Sequence, residues 1–545
     1  MILKNIFNLA AFLAITGCTI GCQTTKEKKN CIDVAIFAIN DFHAGFESSP
    51  ANIVPGAAHL MQTLDSLKAV YPYHITLSAG DNFGGSYFYK LTADRSPMPQ
   101  FMHDMGINVS TLGNHEFDDS QETLSEKWNY IADRPEGWDI TYVCANVKDS
   151  AGRIPEYIKA WEVLPIKLPN DKEVKVGVVG LLTSNTPNQA KKSNLEGLNF
   201  IGDYQGILDS IAAAPDYAPL ENADIRVLLT HIGTKMRDGH PIWEDRDSAN
   251  IAGINTPLIH GIITGHSHDV VCGRINEAQY PVVQAKNYGA YISMLKFTVD
   301  TTTMKVIASE PQVFKVTVKK HLEEKPRKFQ ELLDELLATT YHSSGMPIGT
   351  QLTVAKENIP HDRHDKHRQT LIGNWACTSF AEAFRKAANF NDEVAIAGVS
   401  HFGNIRTGIA EGPVKVLNVG EILPFANKIR VYKMNGTQLH DLLTVGFNNL
   451  RYGQIQIANL NVEFDANQPD KTITKITYVS PKGFKKEIGP KDICYVAADE
   501  FMTNGGDGYD TALFPRNIEV KNVDVPTTTN AFINYLKTLP YIENK

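Results

Sequence analysis

The chain has no excess of positive charge, no closely spaced set of cysteines and no apolar run long enough to cross a membrane comfortably. Each absence excludes something. Its 53 lysines and arginines are outnumbered by 61 aspartates and glutamates, for a formal net charge of -8. Proteins whose main partner is a nucleic-acid backbone present a basic face, so that partner class is set aside. Small anions held locally at a metal stay compatible with mild acidity. The cysteines, Cys18, Cys22, Cys31, Cys144, Cys272, Cys377 and Cys494, show no metal-ligand spacing. That sets aside a thiolate zinc module and leaves any disulfide pairing unassigned. A chain of 545 residues builds a core without disulfides. The apolar stretch 6–15 is too short for a mature spanning helix, and there is no other spanning segment and no internal repeat.

What is present reads as a soluble, globular body of two to four domains, with 43% hydrophobic and 21% charged residues. The first 22 residues are a different material. Lys4 gives a positive start, 6–15 is apolar, and Ile15-Thr16-Gly17-Cys18 puts small residues before a cysteine. The pattern predicts an export signal over 1–17. It resembles a bacterial lipobox with Cys18 as the lipidated residue, and Cys22 is the second choice. Residues 18–32 are then a lipidated cysteine and polar tether. The mature chain is expected on a bacterial membrane, facing the periplasm or the cell surface.

From Asp33 to about residue 315, short apolar runs alternate with amphipathic segments, an α/β pattern. Runs at 34–39, 75–79, 109–112, 176–181, 225–229 and 259–263 predict buried strands. Leu60, Met61, Leu64 and Leu67 share one face of a helix expected over 57–70. After Pro326, the stripe Phe329, Leu332, Leu333, Leu336 and Leu337 predicts an amphipathic connector, ending near Ser343-Ser344-Gly345. The expected division is 33–315, a linker helix within 316–345, and a second α/β segment over 346–545.

The polar residues fall at the ends of the apolar runs. Five runs lead into Asn40-Asp41-Phe42-His43, Gly80-Asp81-Asn82, Gly113-Asn114-His115-Glu116-Phe117-Asp118, Thr230-His231 and Thr264-Gly265-His266-Ser267-His268. Ligands of open α/β sheets gather outside the carboxyl ends of strands, so five such ends can converge on one site. Two aspartates, an asparagine and several imidazoles suit two divalent ions in a mixed oxygen and nitrogen field. Asp81 is a bridging candidate because a carboxylate has two oxygens. Two aspartates leave residual positive charge that attracts phosphate and acidifies a water. Manganese, zinc and cobalt all fit such a field.

Asp41-x-His43, Gly80-Asp81, Gly113-Asn114-His115-Glu116, His231 and Gly265-His266-x-His268 resemble the calcineurin-like metallophosphoesterases. With Ala498-Asp499-Glu500-Phe501 and Asn504-Gly505-Gly506-Asp507-Gly508-Tyr509, the match extends to the 5'-nucleotidase and UDP-sugar hydrolase family, over nearly the whole mature chain. The resemblance implies an N-terminal four-layer metallophosphoesterase β-sandwich flanked by helices, a linker helix, and a C-terminal α/β nucleotide-binding domain. It implies one metal held by Asp41, His43, Asp81 and His268, and another by Asp81, Asn114, His231 and His266. The His268 position is Gln in some relatives. His115, oriented by Asp118, would donate to the transferring phosphoryl group, while a metal-bound hydroxide attacks in line. Glu116 and Asp119 read as solvated or structural charge. Phe425 and Phe501 would sandwich the base, Asp507 would accept from ribose hydroxyls, and Arg406 with Arg368 or Lys366 would contact anions. Relatives show Asn-Gly-Gly-x-Ile-Arg where this chain has His401-Phe402-Gly403-Asn404-Ile405-Arg406. That departure bears on the preferred nucleotide. The implied activity is hydrolysis of nucleoside 5'-monophosphates, with no obligate protein partner. The alternatives are cleavage of UDP-sugar pyrophosphates or 2',3'-cyclic nucleotides, a sulfur-ester hydrolase, and a non-catalytic nucleotide-binding lipoprotein.

Overall fold

The computed structural model describes residues 30–47, 54–92, 96–118, 140–169, 172–190, 192–244, 248–363, 365–468 and 471–544. The export and lipidation motifs with Cys18 and Cys22, and also Asp119, lie outside the described residues.

The continuous apolar runs form strands buried on both faces. Along Cys31–Ile39, Val34, Ile36 and Ala38 enter one core cluster, while Ala35, Phe37 and Ile39 enter another. Successive side chains point to opposite faces of a strand, so this one separates two cores. Glu173–Leu182 behaves likewise, with Val174, Val176 and Val178 on one side and Val179 and Leu181 on the other. Two six-stranded sheets result. The first runs Lys305–Lys315, Tyr291–Asp300, Cys31–Ile39, His74–Ser78, Ile107–Thr111, Thr141–Val143. The second runs Val270–Ile275, Tyr280–Ala285, Gly261–Ile263, Ile225–His231, Glu173–Leu182, Trp161–Lys167. The shared inner cluster packs between them. Helices Ala57–Val70 and Met98–Asp104 cover one outer face, and Tyr204–Ala212 covers the other. The architecture is helix, sheet, sheet, helix, the expected four layers.

The central strands of each sheet are parallel. Cys31–Ile39 pairs parallel with His74–Ser78, which pairs parallel with Ile107–Thr111. Ile225–His231 is parallel to Glu173–Leu182 and to Gly261–Ile263. Their carboxyl ends therefore emerge along one edge of the sandwich.

The connector helix spans Glu324–Thr339, so it begins two residues before Pro326. Proline is tolerated there because the first-turn N–H groups have no helical acceptor. Its apolar stripe packs onto the N-terminal core, with the Phe329 ring 5.5 Å from Phe101 and 5.9 Å from Phe46.

Beyond it, a four-stranded sheet runs Ile429–Asn435, Ile493–Asp499, Ile396–Ser400, Gln456–Ala458. Separate apolar clusters lie on its two faces, one built on helix Leu371–Ala387 and one on helix Gly436–Phe447. The short helix Val416–Ile422 docks this part on the first. Leu417 joins the N-terminal core, and Lys415 Nζ lies 2.7 Å from Glu47 Oε2. A Cβ added at Gly420 would meet the Tyr87 ring at 2.0 Å, so only glycine permits that approach. The described cysteines, Cys31, Cys144, Cys272, Cys377 and Cys494, are all free thiols.

Candidate metal centre and substrate cavity

Asp41, His43, Asp81, Asn114, His231, His266 and His268 come from five strand ends, three in the first sheet and two in the second. The structure brings them together. Three overlapping groups, Asp41/His43/His268, His43/Asp81/His115 and Asp81/His231/His266, each hold their ligand atoms within 4.8 Å of one another. Asp81 lies at the centre. Its Oδ1 accepts from the His115 backbone N–H at 2.8 Å, which leaves Oδ2 toward His231 Nε2 at 3.1 Å and His43 Nε2 at 3.8 Å. Asp41 Oδ1 lies 3.4 Å from His268 Nε2 and 3.8 Å from His231 Nε2. The Nε2 atoms of His43 and His268 are 3.0 Å apart. Asn114 Oδ1 is buried without a hydrogen-bond partner.

The backbone is bent to make this possible. Five of the seven residues, Asp41, His43, Asp81, His266 and His268, have φ between 49° and 77°. Left-handed conformations at non-glycine residues cost of order 1–3 kcal/mol each and cluster at functional sites. The turn 80–85 is equally constrained. Gly84 and Gly85 both have φ 67°, and a Cβ on Gly84 would sit 2.5 Å from Asp118 Oδ2.

The electrostatics follow from burying charge beside charge. Burial is the largest influence and would raise Asp41 and Asp81, but His231 together with His268 at Asp41, and His231 together with His43 and His115 at Asp81, hold both below the usual carboxylate value, Asp81 well below. Burial opposes protonation of His231, yet Asp81 and Asp41 push it up to about 10. His43, where burial wins over Asp81, falls to about 4. In the metal-free protein an imidazolium thus balances two carboxylates, and a cation entering here displaces its proton.

The other ring nitrogens of His231, His266 and His268 are held, while His43 Nδ1 is buried without a hydrogen bond. His231 Nδ1 lies 2.7 Å from Ala79 O, His266 Nε2 3.0 Å from Gln189 Nε2, and His268 Nδ1 3.0 Å from Asn287 Nδ2. Such outer contacts fix ring orientation at metal sites. Glu116 is neither solvated nor idle. It is 1% exposed and accepts backbone N–H bonds from Gly113 at 2.6 Å, Asn82 at 2.7 Å and Asp81 at 2.8 Å. It therefore ties two of the ligand-bearing turns together. No local pattern in 113–118 announces this, because two of the donors lie more than 30 residues away.

His115 stands at the open side. Its Nδ1 is 2.8 Å from Asp118 Oδ2, and its ring packs edge-on 5.0 Å from that of His43. Burial lowers its proton affinity, but the Asp118 hydrogen bond and Asp81 raise it to about 9.

A cavity of about 240 Å³ adjoins the centre through Gly85 and Tyr288, and one of about 490 Å³ lies in the C-terminal part. Arg363 and Arg406 line both. The larger cavity is also lined by Phe425, Phe501, Asp507, His401, Asn427 and Tyr452. Phe425 and Phe501 are 51% and 46% exposed, unusual for phenylalanine and useful for stacking. Arg368 lines neither cavity, and its Nε pairs with Asp365 Oδ2 at 3.1 Å. Arg363, five residues earlier in the same charged loop, takes the cavity-facing place. Lys366 lines the larger cavity.

Fold and donor set together define a metal-dependent phosphoesterase, a hydrolase class. Residues 34–270 match the calcineurin-like phosphoesterases, and residues 347–513 match the 5'-nucleotidase C-terminal domain. The chain belongs to the 5'-nucleotidase family of calcineurin-like phosphoesterases. It is 25% identical over 508 residues to the trifunctional nucleotide phosphoesterase protein of Bacillus subtilis, covering 88% of this chain but only 32% of that one. The chain thus spans about a third of that relative's length. It is 23% identical over 543 residues to an apyrase of Anopheles gambiae, covering 92% and 87% of the two chains. The crystal structure of a 5'-nucleotidase precursor from Thermus thermophilus has the same fold, with TM-score 0.57, 21% identity, and 94% and 97% coverage.

Proposed function

We propose that the protein hydrolyses nucleoside 5'-monophosphates to nucleoside and phosphate with two divalent ions. The observation that carries this is the convergence of five strand ends around Asp81, joined through the cavity lined by Arg363 and Arg406 to one edged by two exposed phenylalanines. The residues fit the ions. The donors are carboxylate oxygens and imidazole nitrogens without thiolate, and Asn114 Oδ1 is buried with no other partner. Asp41, His43, Asp81 and His268 hold one ion, and Asp81, Asn114, His231 and His266 the other. Bound there, the ions supply Lewis acidity and lower the pKa of a water.

The chain's own groups do the rest. His115, kept protonated by Asp118, donates to the transferring phosphoryl oxygens as negative charge develops on them. Arg363 and Arg406 lie between the centre and the larger cavity and screen the incoming anion. Phe425 and Phe501 stack on the base, and Asp507 accepts from sugar hydroxyls. Glu116 keeps the turns bearing Asp81 and Asn114 in register. Residues 33–315 supply the centre, 316–345 the connector and 346–545 the nucleoside site.

A second reading is cleavage of UDP-sugar pyrophosphate or 2',3'-cyclic nucleotide bonds at the same centre; similarity to a trifunctional nucleotide phosphoesterase supports more than one kind of nucleotide substrate. Export and a lipid anchor at Cys18 rest on the sequence of residues 1–22. No helix among the described residues is long and apolar enough to cross a membrane.

The test is chromatographic analysis of all products, with inorganic phosphate measured beside them, for the metal-free protein before and after adding manganese or zinc. AMP, UMP, a UDP-sugar and a 2',3'-cyclic nucleotide are compared. Metal-dependent turnover of the monophosphates with the highest kcat/KM is the expected result. Turnover of only the pyrophosphate or cyclic substrates selects the second reading, and none with metal bound refutes both.

A further inference from the structure

His401 opens the segment His401-Phe402-Gly403-Asn404-Ile405-Arg406, and its surroundings assign it a task. It follows the strand Ile396–Ser400, is 4% exposed, and lines the larger cavity. Its Nδ1 lies 2.7 Å from Asp507 Oδ2. Its Nε2 lies 3.5 Å from Asp499 Oδ1, is buried and makes no hydrogen bond. Neither ring nitrogen is therefore presented to a ligand in the cavity. A base edge cannot be read by a group whose one nitrogen is committed and whose other is enclosed.

The imidazole instead reaches both working ends of the segment 499–509. At one end it holds the Asp507 carboxylate, which hangs from a strained backbone with φ 49°. A Cβ on Gly403 would strike Asp507 Oδ2 at 2.8 Å, so the glycine is what lets the pair close. Asp507 Oδ1 makes no hydrogen bond among the described residues, and the side chain is 22% exposed. At the other end the His401 ring packs 4.9 Å from Phe501. Phe501 rides on the helix Glu500–Thr503, which Asp499 caps by accepting from Met502 N at 3.0 Å. Asp499 is fixed in turn by Ser400 Oγ at 3.0 Å.

We infer that His401 is a positioning residue for sugar recognition: it clamps Asp507 so that one carboxylate oxygen faces the cavity to receive ribose hydroxyls, and it does not read the base. This rests on the nucleotidase reading. A hydrogen bond to a charged group that must otherwise find its own orientation carries about ten- to a hundredfold in affinity. The Asn side chain places an amide N–H close to the position of Nδ1, so an asparagine can hold Asp507 in the same way.

The experiment compares AMP with 2',3'-dideoxy-AMP and with p-nitrophenyl phosphate, which needs the metal centre alone. The metal-loaded wild type, His401→Ala and His401→Asn are used. The wild type is expected to prefer AMP over the dideoxy nucleotide by about ten- to a hundredfold in kcat/KM. His401→Ala should raise the KM for AMP, collapse that preference to within about threefold, and leave p-nitrophenyl phosphate turnover unchanged. His401→Asn should restore the preference. An undiminished preference in His401→Ala overturns the inference, as does an equal loss on p-nitrophenyl phosphate. Turnover of p-nitrophenyl phosphate with none of AMP by the wild type overturns the nucleotidase reading instead.

Discussion

Replacing Glu116 with glutamine separates the part this carboxylate plays in holding the metal turns from any part in chemistry. Glu116 lies behind the ligands and touches no cavity, yet its two oxygens take backbone N–H bonds from Asp81, Gly113 and Asn82 at 2.6–2.8 Å. In the Glu116→Gln variant, the amide oxygen can keep the pair formed by Asp81 and Gly113. The amide nitrogen then faces the Asn82 N–H, donor against donor. One buried N–H left unsatisfied costs ~1–3 kcal/mol, and the remaining bonds lose their charge assistance. The expected loss is about 2–4 kcal/mol in the transition that unfolds the N-terminal sandwich of the metal-free protein. Because the same bonds orient Asp81 and Asn114, manganese affinity should fall by about 10- to 100-fold. Calorimetric titration with manganese and urea unfolding of the metal-free protein measure the two effects. Affinity within about threefold of wild type and stability within about 0.5 kcal/mol would refute the reasoning.

The other expected outcomes are briefer. His115→Ala should bind two metal ions per chain by elemental analysis and lose about 10²- to 10³-fold in kcat; normal turnover would remove the role given to it. Asn427 is the one side-chain amide lining the larger cavity, so Asn427→Ala should change the ratio of kcat/KM for AMP over UMP more than it changes their sum. Glu421 is pushed up to about 7 by burial and by Glu47. A carboxyl raised in the folded state stabilises below its unfolded value and loses that contribution as pH rises through 7. Glu421→Gln should therefore raise the unfolding midpoint at pH 8 and leave it unchanged at pH 4, and an equal shift at both would contradict this.

Much of the sandwich was legible because its central strands are buried on both faces and so read as unbroken apolar runs. The helix expected over 57–70 spans Ala57–Val70. The meeting of the candidate ligands was legible because parallel strands deliver their last and following residues to one edge. What escaped depends on where a loop travels. Arg363 and Arg368 sit in one charge-dense segment, and no local rule says which reaches the cavity. Glu116 read as solvated or structural charge, and the choice between the two was not legible because two of its partners come from a distant turn. The substitution at Phe402 is visible in the sequence, but the place of its ring is not: it lies stacked 4.9 Å from His361.

The metal centre also sits on a seam. Asp41, Asp81 and Asn114 follow strands of one sheet, while His231 ends and His266 follows a strand of the other. Contacts already cross there, from His266 N to Asp41 Oδ2 at 2.9 Å and from His231 Nδ1 to Ala79 O at 2.7 Å. Asp41 and His266 are 225 positions apart in the chain. Ions bound between them act as a rivet through the sandwich, closing a very long loop. A one-residue slip in either sheet reverses which way its side chains face and scatters the donors. Ions bound there would therefore bridge only a chain whose two sheets are both in register.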